Sequence, residues 1–462
     1  MKFANLLCVY CLVLLSCSGL TLLCLGSDQL FVEREGTVLQ TTDGTPYRYV
    51  GMNYWYGANL GSSGPGGDRD RLRRELDELS ARGISNLRIM AGSEGPDTEP
   101  YRMTPSMQPE PGVYNEDVVE GLDYLLSEME RRNMRAVMCL TNMWTWSGGL
   151  AQYLIWAKHA KTIPYHPPAP NGHWNTFMHF TSHAFKDKEA IRMYHDHVKF
   201  MVGRNNTVTG VPYKDDPTIM SWELANEPRG MKFADDLFDW VSETSELIKE
   251  IDPNHMITIG LEGDTPDAKY NGVEFERLNS LENIDYTTIH IWVENWKWYD
   301  PFNPAYTYPN ARKMALEYFQ DHAYRSGKIG KPAVLEEFGL ARDSNIGKDR
   351  YLPSTSVKWR DDYFDALLSW VCLLGKDPNS AVVGANLWAY GGEAYDGAGW
   401  SPGGLYKPGD VFTGDPPHEK QGWYSIYSTD NSTLSLISKY ADCIEPQAPA
   451  QFQVVEVRST QP

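Results

Sequence analysis

The sequence is poor in positive charge: 42 Lys and Arg stand against 61 Asp and Glu, a formal net charge of −19 at pH 7. Phosphate backbones are bound by clustered cationic side chains, so this balance excludes a nucleic-acid partner. Cysteine is scarce outside the N-terminus. Four of the seven, Cys8, Cys11, Cys17 and Cys24, lie in the apolar leader, which leaves Cys139, Cys372 and Cys443. Three cysteines cannot build a disulfide framework. Cys139 sits in an apolar run and reads as a buried small hydrophobe, and nothing local decides whether Cys372 and Cys443 pair. There is no CxxC and no His pair at zinc spacing, so no metal is expected. No GxGxxG or GxxxxGKS loop follows any apolar run, which removes the main support for a nucleotide fold. There is also no internal repeat and no Ser/Gly linker to set off a second module.

Aromatics, by contrast, are plentiful, with 15 Trp and 27 Tyr. Many belong in a core, but a surplus also suits a sugar cleft, because pyranose rings present apolar C–H faces that pack on aromatic rings. Residues 3–25 carry no charge and follow a lone Lys2, and Gly26 precedes the polar chain. Residues 1–26 therefore read as a secretory signal peptide, and the protein as secreted and extracellular. The run is also long enough for an uncleaved membrane anchor, and Leu14-Leu15-Ser16-Cys17 resembles a lipoprotein cleavage site. Asn205 and Asn431 open N-glycosylation sequons. Residues 446–462 form a polar tail.

Between these ends, at 27–445, short apolar runs alternate with amphipathic segments. The runs fall at 47–53, 86–89, 135–140, 218–224, 256–261, 286–291, 333–337 and 382–388. Helical stripes lie between them: Leu72, Leu76 and Leu79 before a stop at Gly83; Val118 to Met129 after Asn115; Leu237, Trp240 and Val241; 357–374; and a last one after Asn431. Eight strands alternating with helices predict parallel pairing, and a closed α/β (β/α)8 TIM barrel in a single catalytic domain. An open doubly wound sheet is the alternative. The long stretches 141–185 and 389–422 become βα loops over the barrel's active face.

In such a barrel, reactive groups sit where strands end. Two strand ends carry carboxyls suited to joint work: Trp222-Glu223-Leu224-Ala225-Asn226-Glu227-Pro228-Arg229 after the fourth, and Leu335-Glu336-Glu337-Phe338-Gly339 after the seventh. Fission of a glycosidic bond needs such a pair, one protonated to assist the leaving oxygen and one ionised to attack the anomeric carbon. Taken singly, Glu-Pro also suits a helix N-terminus, and Glu336-Glu337 also suits a solvated surface.

With these motifs stand Asn142-Met143-Trp144-Thr145-Trp146-Ser147-Gly148-Gly149, His290-Ile291-Trp292, Asn295-Trp296, Trp388 and Gln421-Gly422-Trp423-Tyr424. In this order the chain resembles glycoside hydrolase family 5, in the endo-β-1,4-mannanase branch, from about residue 47 to 440. The resemblance implies a retaining endo-hydrolase of β-1,4-mannan, with Glu227 as acid/base and Glu337 as nucleophile. Glu336 is the rival for the second role. Strand neighbours face opposite ways, so one of the two is expected to reach the cleft, and the family pattern selects Glu337.

Further roles follow from the same resemblance. Asn226 would contact the sugar 2-hydroxyl, and Arg88 would keep Glu337 ionised. His290 would lie near Glu227, Trp292 beside the nucleophile, and Trp388 under the sugar at the cleaved bond. Trp144, Trp146, Trp296 and Trp298 are candidate platforms for other rings, and Asn53, Trp55 and Arg229 candidate cleft-lining groups. The field of Glu337 is expected to keep Glu227 protonated. No cofactor and no protein partner are implied, and a monomer acting on a mannan-type polysaccharide is expected. An exo-β-mannosidase or a β-1,4-glucanase on the same barrel is the second reading, and a catalytically silent sugar-binding barrel a third.

Overall fold

The computed structural model describes residues 30–266, 268–343, 352–393 and 406–445. The proposed signal peptide and polar tail lie outside these residues. Eight strands form one parallel sheet: β1 (Tyr49–Asn53), β2 (Asn86–Met90), β3 (Arg135–Cys139), β4 (Ile219–Glu223), β5 (Met256–Thr258), β6 (Thr287–Ile291), β7 (Ala333–Phe338) and β8 (Val382–Leu387). Neighbours run in the order 5-4-3-2-1-8-7-6. The β5–β6 seam is bridged by Asp285 N–H on Ile257 O (2.7 Å), His290 N–H on Glu262 O (3.0 Å) and the Thr288 hydroxyl on Leu261 O (2.7 Å). The eight expected strands are all present, and the barrel, not the open sheet, is the architecture.

Every residue of all eight strands is buried. One face packs into the barrel and the other against helices, which is why the sequence shows continuous apolar runs rather than alternation. The helix Arg69–Ala81 buries Leu72, Leu76 and Leu79, and starts where Asp68 accepts from Arg71 N–H at 2.9 Å. The helices Glu116–Glu130, Ala234–Ile251, Lys358–Gly375 and Asn431–Ile444 follow the remaining stripes.

Three features escaped the sequence pattern. A small antiparallel sheet (Val32–Glu35, Val38–Thr41, Pro46–Tyr47) lies at the N-terminal ends of the strands. There Val32 and Leu39 share an apolar cluster with Val137, Met220, Val334 and Val383. The connection from β6 to β7 holds the 25-residue helix Pro304–Lys328. The stretch 141–185 is not irregular throughout; it contains the helices Gly149–Trp156 and Trp174–Thr181. Cys372 and Cys443 form a disulfide between the last two helices, with Cα atoms 5.8 Å apart, and Cys139 is buried and free. Asn205 and Asn431 are exposed. No helix among the described residues is long and apolar enough to cross a membrane.

Candidate active site

Arg88, on β2, is the electrostatic centre of the C-terminal barrel face. Its Nε and Nη2 clamp the Glu223 carboxylate at 2.7 and 2.5 Å. Nη1 donates to Glu337 and, at 3.0 Å, to Asn53 Oδ1, while Nη2 also donates to Asn226 Oδ1 at 2.8 Å. All five residues are buried. A guanidinium supplies the planar fork that such a set of acceptors requires. Asn53 and Asn226 also brace the frame, Asn53 donating to Glu336 O (2.9 Å) and Asn226 to Asn142 Oδ1 (3.0 Å).

Glu227 follows β4 on a backbone with φ of +52°, a left-handed conformation that is unfavourable for a residue with a side chain. The next helix starts only at Ala234, so Glu227-Pro228 is not a helix N-terminus. The Glu227 carboxyl accepts from His290 Nδ1 at 2.9 Å and from Trp144 Nε1 at 2.5 Å.

On β7 the expectation that one of the two glutamates faces inward is corrected. The pairing of β7 with β6 shifts register between Leu335 and Glu337, a bulge at Glu336. The extra residue lets both side chains meet the same cluster. Glu336 accepts from His290 Nε2 at 3.1 Å and lies 3.6 Å from Arg88 Nε. Glu337 holds Arg88 on one oxygen and Trp292 Nε1 (3.3 Å) on the other. Gly339 lies beside this group, where a Cβ would come within 3.1 Å of the Trp292 ring and of Trp388 O.

Single ligand atoms of Glu227, His290 and Glu337 all lie within 4.8 Å of one another. The same spacing could suit a cation. However, the carboxylate oxygens here already face N–H donors from Arg88, Trp144, His290 and Trp292, which is the coordination of an anion-holding site.

Proton affinities in the pocket differ from the expected order. Burial disfavours a charged His290, but Glu337, Glu227 and Glu336 override it and lift the imidazole to about 10. Burial raises Glu227, yet the hydrogen bond and charge of His290, then Arg229 and the Trp144 N–H, hold it below the usual glutamate range. Burial lifts Glu337 to about 7 against the opposing pull of His290 and Arg88. Both shifts favour a proton on His290 over one on Glu227. The field of Glu337 alone does not set it, because a base sits between the two carboxyls.

Trp388 and Trp292 meet edge-to-face at 5.9 Å, and Trp388 and Trp146 at 6.2 Å, giving the pocket three indole walls. Trp55 is 2% exposed, donates to Gly414 O at 3.2 Å and meets Trp146 edge-to-face at 5.7 Å. Arg229 is held at 2.6 Å by Glu262 and stacks 5.1 Å above the Trp144 ring. Trp296 forms a separate half-buried group with Trp298 (4.9 Å) and Tyr318 (5.1 Å).

Sequence reasoning missed Glu223, Glu262 and Glu419. The first could have been found, since a carboxylate ending an apolar strand requires a buried partner. Glu419 gives no such signal. It lies in the connection after β8, and burial, then Asp415, Glu337, Glu294 and Glu227, raise its carboxyl well above the usual range.

A match to the family described as "GH family 5 beta-mannosidase-like" spans residues 29–448. The mannan endo-1,4-beta-mannosidase 5 of Solanum lycopersicum is 30% identical over 414 residues, covering 84% of this chain and 90% of its own. A crystal structure of a glycoside hydrolase family 5 mannosidase from Rhizomucor miehei is 40% identical, with a TM-score of 0.82, covering 91% of this chain and 98% of its own. The endo-beta-1,4-mannanase of Thermotoga petrophila is 25% identical, with a TM-score of 0.62 and coverages of 87% and 78%.

Proposed function

The chain belongs to the glycoside hydrolase family 5 β-mannosidase-like family, and from that premise we propose that it hydrolyses β-1,4-mannosidic linkages of mannan, glucomannan or galactomannan internally, with retention of configuration. The mannan part of this reading rests on the related mannan endo-1,4-beta-mannosidases, and the retaining part on one observation, a Glu227 and a Glu337 carboxylate oxygen within 4.8 Å of each other. Carboxyls of retaining enzymes lie about 5–5.5 Å apart, and those of inverting enzymes about 6.5–9.5 Å apart, to admit a water.

The steps follow from the contacts. Glu337 attacks as the carboxylate, the form that Arg88 and the Trp292 N–H favour against the opposing effect of burial. His290 passes its proton along the 2.9 Å hydrogen bond to Glu227, which delivers it to the leaving oxygen as the bond to the anomeric carbon breaks. Glu337 becomes glycosylated and loses its charge. Water, deprotonated by Glu227, then displaces it with a second inversion. Trp388 underlies the reacting ring, and Asn226 meets its 2-hydroxyl.

Galactomannan against carboxymethylcellulose is the deciding assay, with the anomer of the first product followed by NMR. Faster cleavage of the cellulose derivative would remove the mannan assignment, and an α-product would remove the retaining pair.

A second reading, exo-action, is favoured by one observation. The connections after β3 and β8 meet at His166 and His418, whose rings are 5.2 Å apart, while Glu227, Glu337, Trp292 and Trp388 are 2–8% exposed. A contact between these two connections that closed one end of the cleft would restrict entry to a chain end. Reduced manno-oligosaccharides separate the two: mannose alone means exo, mixed oligomers endo. We place the protein in the secretory route on residues 1–26, as a monomer. The disulfide suits that oxidising environment, and N-terminal sequencing of secreted protein tests the cleavage.

A further inference from the structure

Among the described tryptophans, Trp174 is set apart by its exposure, at 42% of its surface. A ring of that size is costly to leave in water, and its surroundings keep it from folding away. The first residue of the helix Trp174–Thr181, it is stacked flat on His166, with ring centres 4.2 Å apart and planes 9° from parallel. His166 is itself fixed. It is 1% exposed, its Nε2 lies 3.0 Å from Thr145 Oγ1, its Nδ1 2.6 Å from Pro167 O, and Phe177 packs on its ring. Burial lowers this imidazole to about 4, so at neutral pH it is an uncharged backing plate. One indole face is thus covered and the other open.

The edge of Trp174 meets Trp144 at 5.5 Å and 88°, and Trp144 donates to Glu227. An unbroken aromatic path therefore leads from the open ring to the carboxyl on the leaving-group side. The segment that carries Trp174 also lines a groove of about 420 Å³ through its neighbours Asn171, His173 and Thr176, with Tyr101, Pro164, Tyr165 and Pro170 as the other walls. A preformed, uncharged platform beside a groove of aromatic rings and neutral hydrogen-bonding groups fits a pyranose better than an ion or a peptide.

We propose that Trp174 and this groove form a distal subsite for sugar rings on the leaving-group side of the cleaved bond, so that longer β-mannan chains are held at both the pocket and the platform. The inference rests on the proposed reading of Glu227 as acid/base.

The test compares Trp174→Ala and Trp174→Phe with the unaltered full-length protein on two substrates, an aryl β-mannoside and reduced mannohexaose. The alanine variant is expected to lose roughly tenfold in kcat/KM on the hexaose, through KM, as one stacked ring is removed. The phenylalanine variant is expected to recover part of this, and both to match the unaltered protein on the aryl substrate. Equal hexaose kinetics in all three proteins would overturn the subsite, as would a parallel loss on both substrates, which would mark Trp174 as structural. Absence of all mannoside hydrolysis would overturn the function instead. The subsite would then be judged by titrating mannohexaose into Glu337→Gln protein with and without Trp174→Ala, where equal affinity overturns it.

Discussion

Replacing Arg88 with Met removes the guanidinium that faces Glu223 and Glu337 while keeping most of the side chain's volume. Glu223 loses contacts of 2.7 and 2.5 Å and Glu337 loses its Nη1 donor. At a separation of roughly 3 Å and an effective dielectric of about 20, one such contact amounts to about 5 kcal/mol before relaxation and water entry. Removing one partner of a buried pair costs about 3–5 kcal/mol in practice. If about 3 kcal/mol falls on Glu337, its pKa rises by about 2 units, and at pH 6 the ionised fraction drops roughly 100-fold. Activity on an aryl β-mannoside is expected to fall at least that far, with the acid limb of the pH profile moved upward.

Stability should change with a definite sign. Glu223 and Glu337 are already raised by burial in the intact protein. Without Arg88 they rise further, and a carboxyl raised above its unfolded value of about 4.3 takes up a proton on folding, so it costs stability increasingly as pH climbs through that window. The intact Glu337 carries the same cost up to about pH 7, so the deficit from this group is near zero at pH 4.5 and opens as pH passes about 7. With about 2.1 cal/mol/K of unfolding entropy per residue over some 400 residues, 4 kcal/mol lowers Tm by roughly 5 °C. Arg88→Lys should fall between the two, since an ammonium keeps the charge but not the fork. Activity within threefold of the unaltered protein at pH 6, or an equal Tm loss at pH 4.5 and pH 8, would refute the electrostatic role.

Glu337→Ala should abolish turnover of every substrate, whereas Glu227→Ala should still glycosylate Glu337 from aryl mannosides with good leaving groups and release a β-mannosyl azide when azide is added; equal, unrescued loss in both would refute the division of roles. Glu336→Gln should be milder than Glu337→Gln, because the amide oxygen can still accept from His290 Nε2, and it should lower the upper pH limit of activity by removing a charge that raises His290; the reverse ranking in kcat would exchange the two glutamates. Removing the Cys372–Cys443 disulfide, with its separation of 71 residues, should cost about 4 kcal/mol by loop-closure entropy. Denaturant unfolding with and without reductant measures this, and a change under 1 kcal/mol would mean that the two helices hold together without the bond.

Some of this was legible in the chain alone. Eight apolar runs separated by amphipathic stripes dictate a parallel sheet buried on both faces, because such runs cannot be exposed on either side. The strand ends carrying Glu227 and Glu337 could be found because a barrel places loop-borne chemistry at one face. Where the sequence argument failed, the cause was a contact between distant segments or a break in local regularity. Strict alternation along a strand admits one of Glu336 and Glu337, and only the bulge against β6 turns both inward. Arg88 could be read as a partner for Glu337, but its clamp on Glu223 depends on β2 and β4 standing on either side of β3. The partners of Trp55 could not be read from its position, because only tertiary packing sets it against Trp146 and Gly414. Proton placement was the least legible of all. Charge and burial are sums over everything within reach, and His290 comes between Glu227, Glu336 and Glu337 only when β4, β6 and β7 curve into one wall.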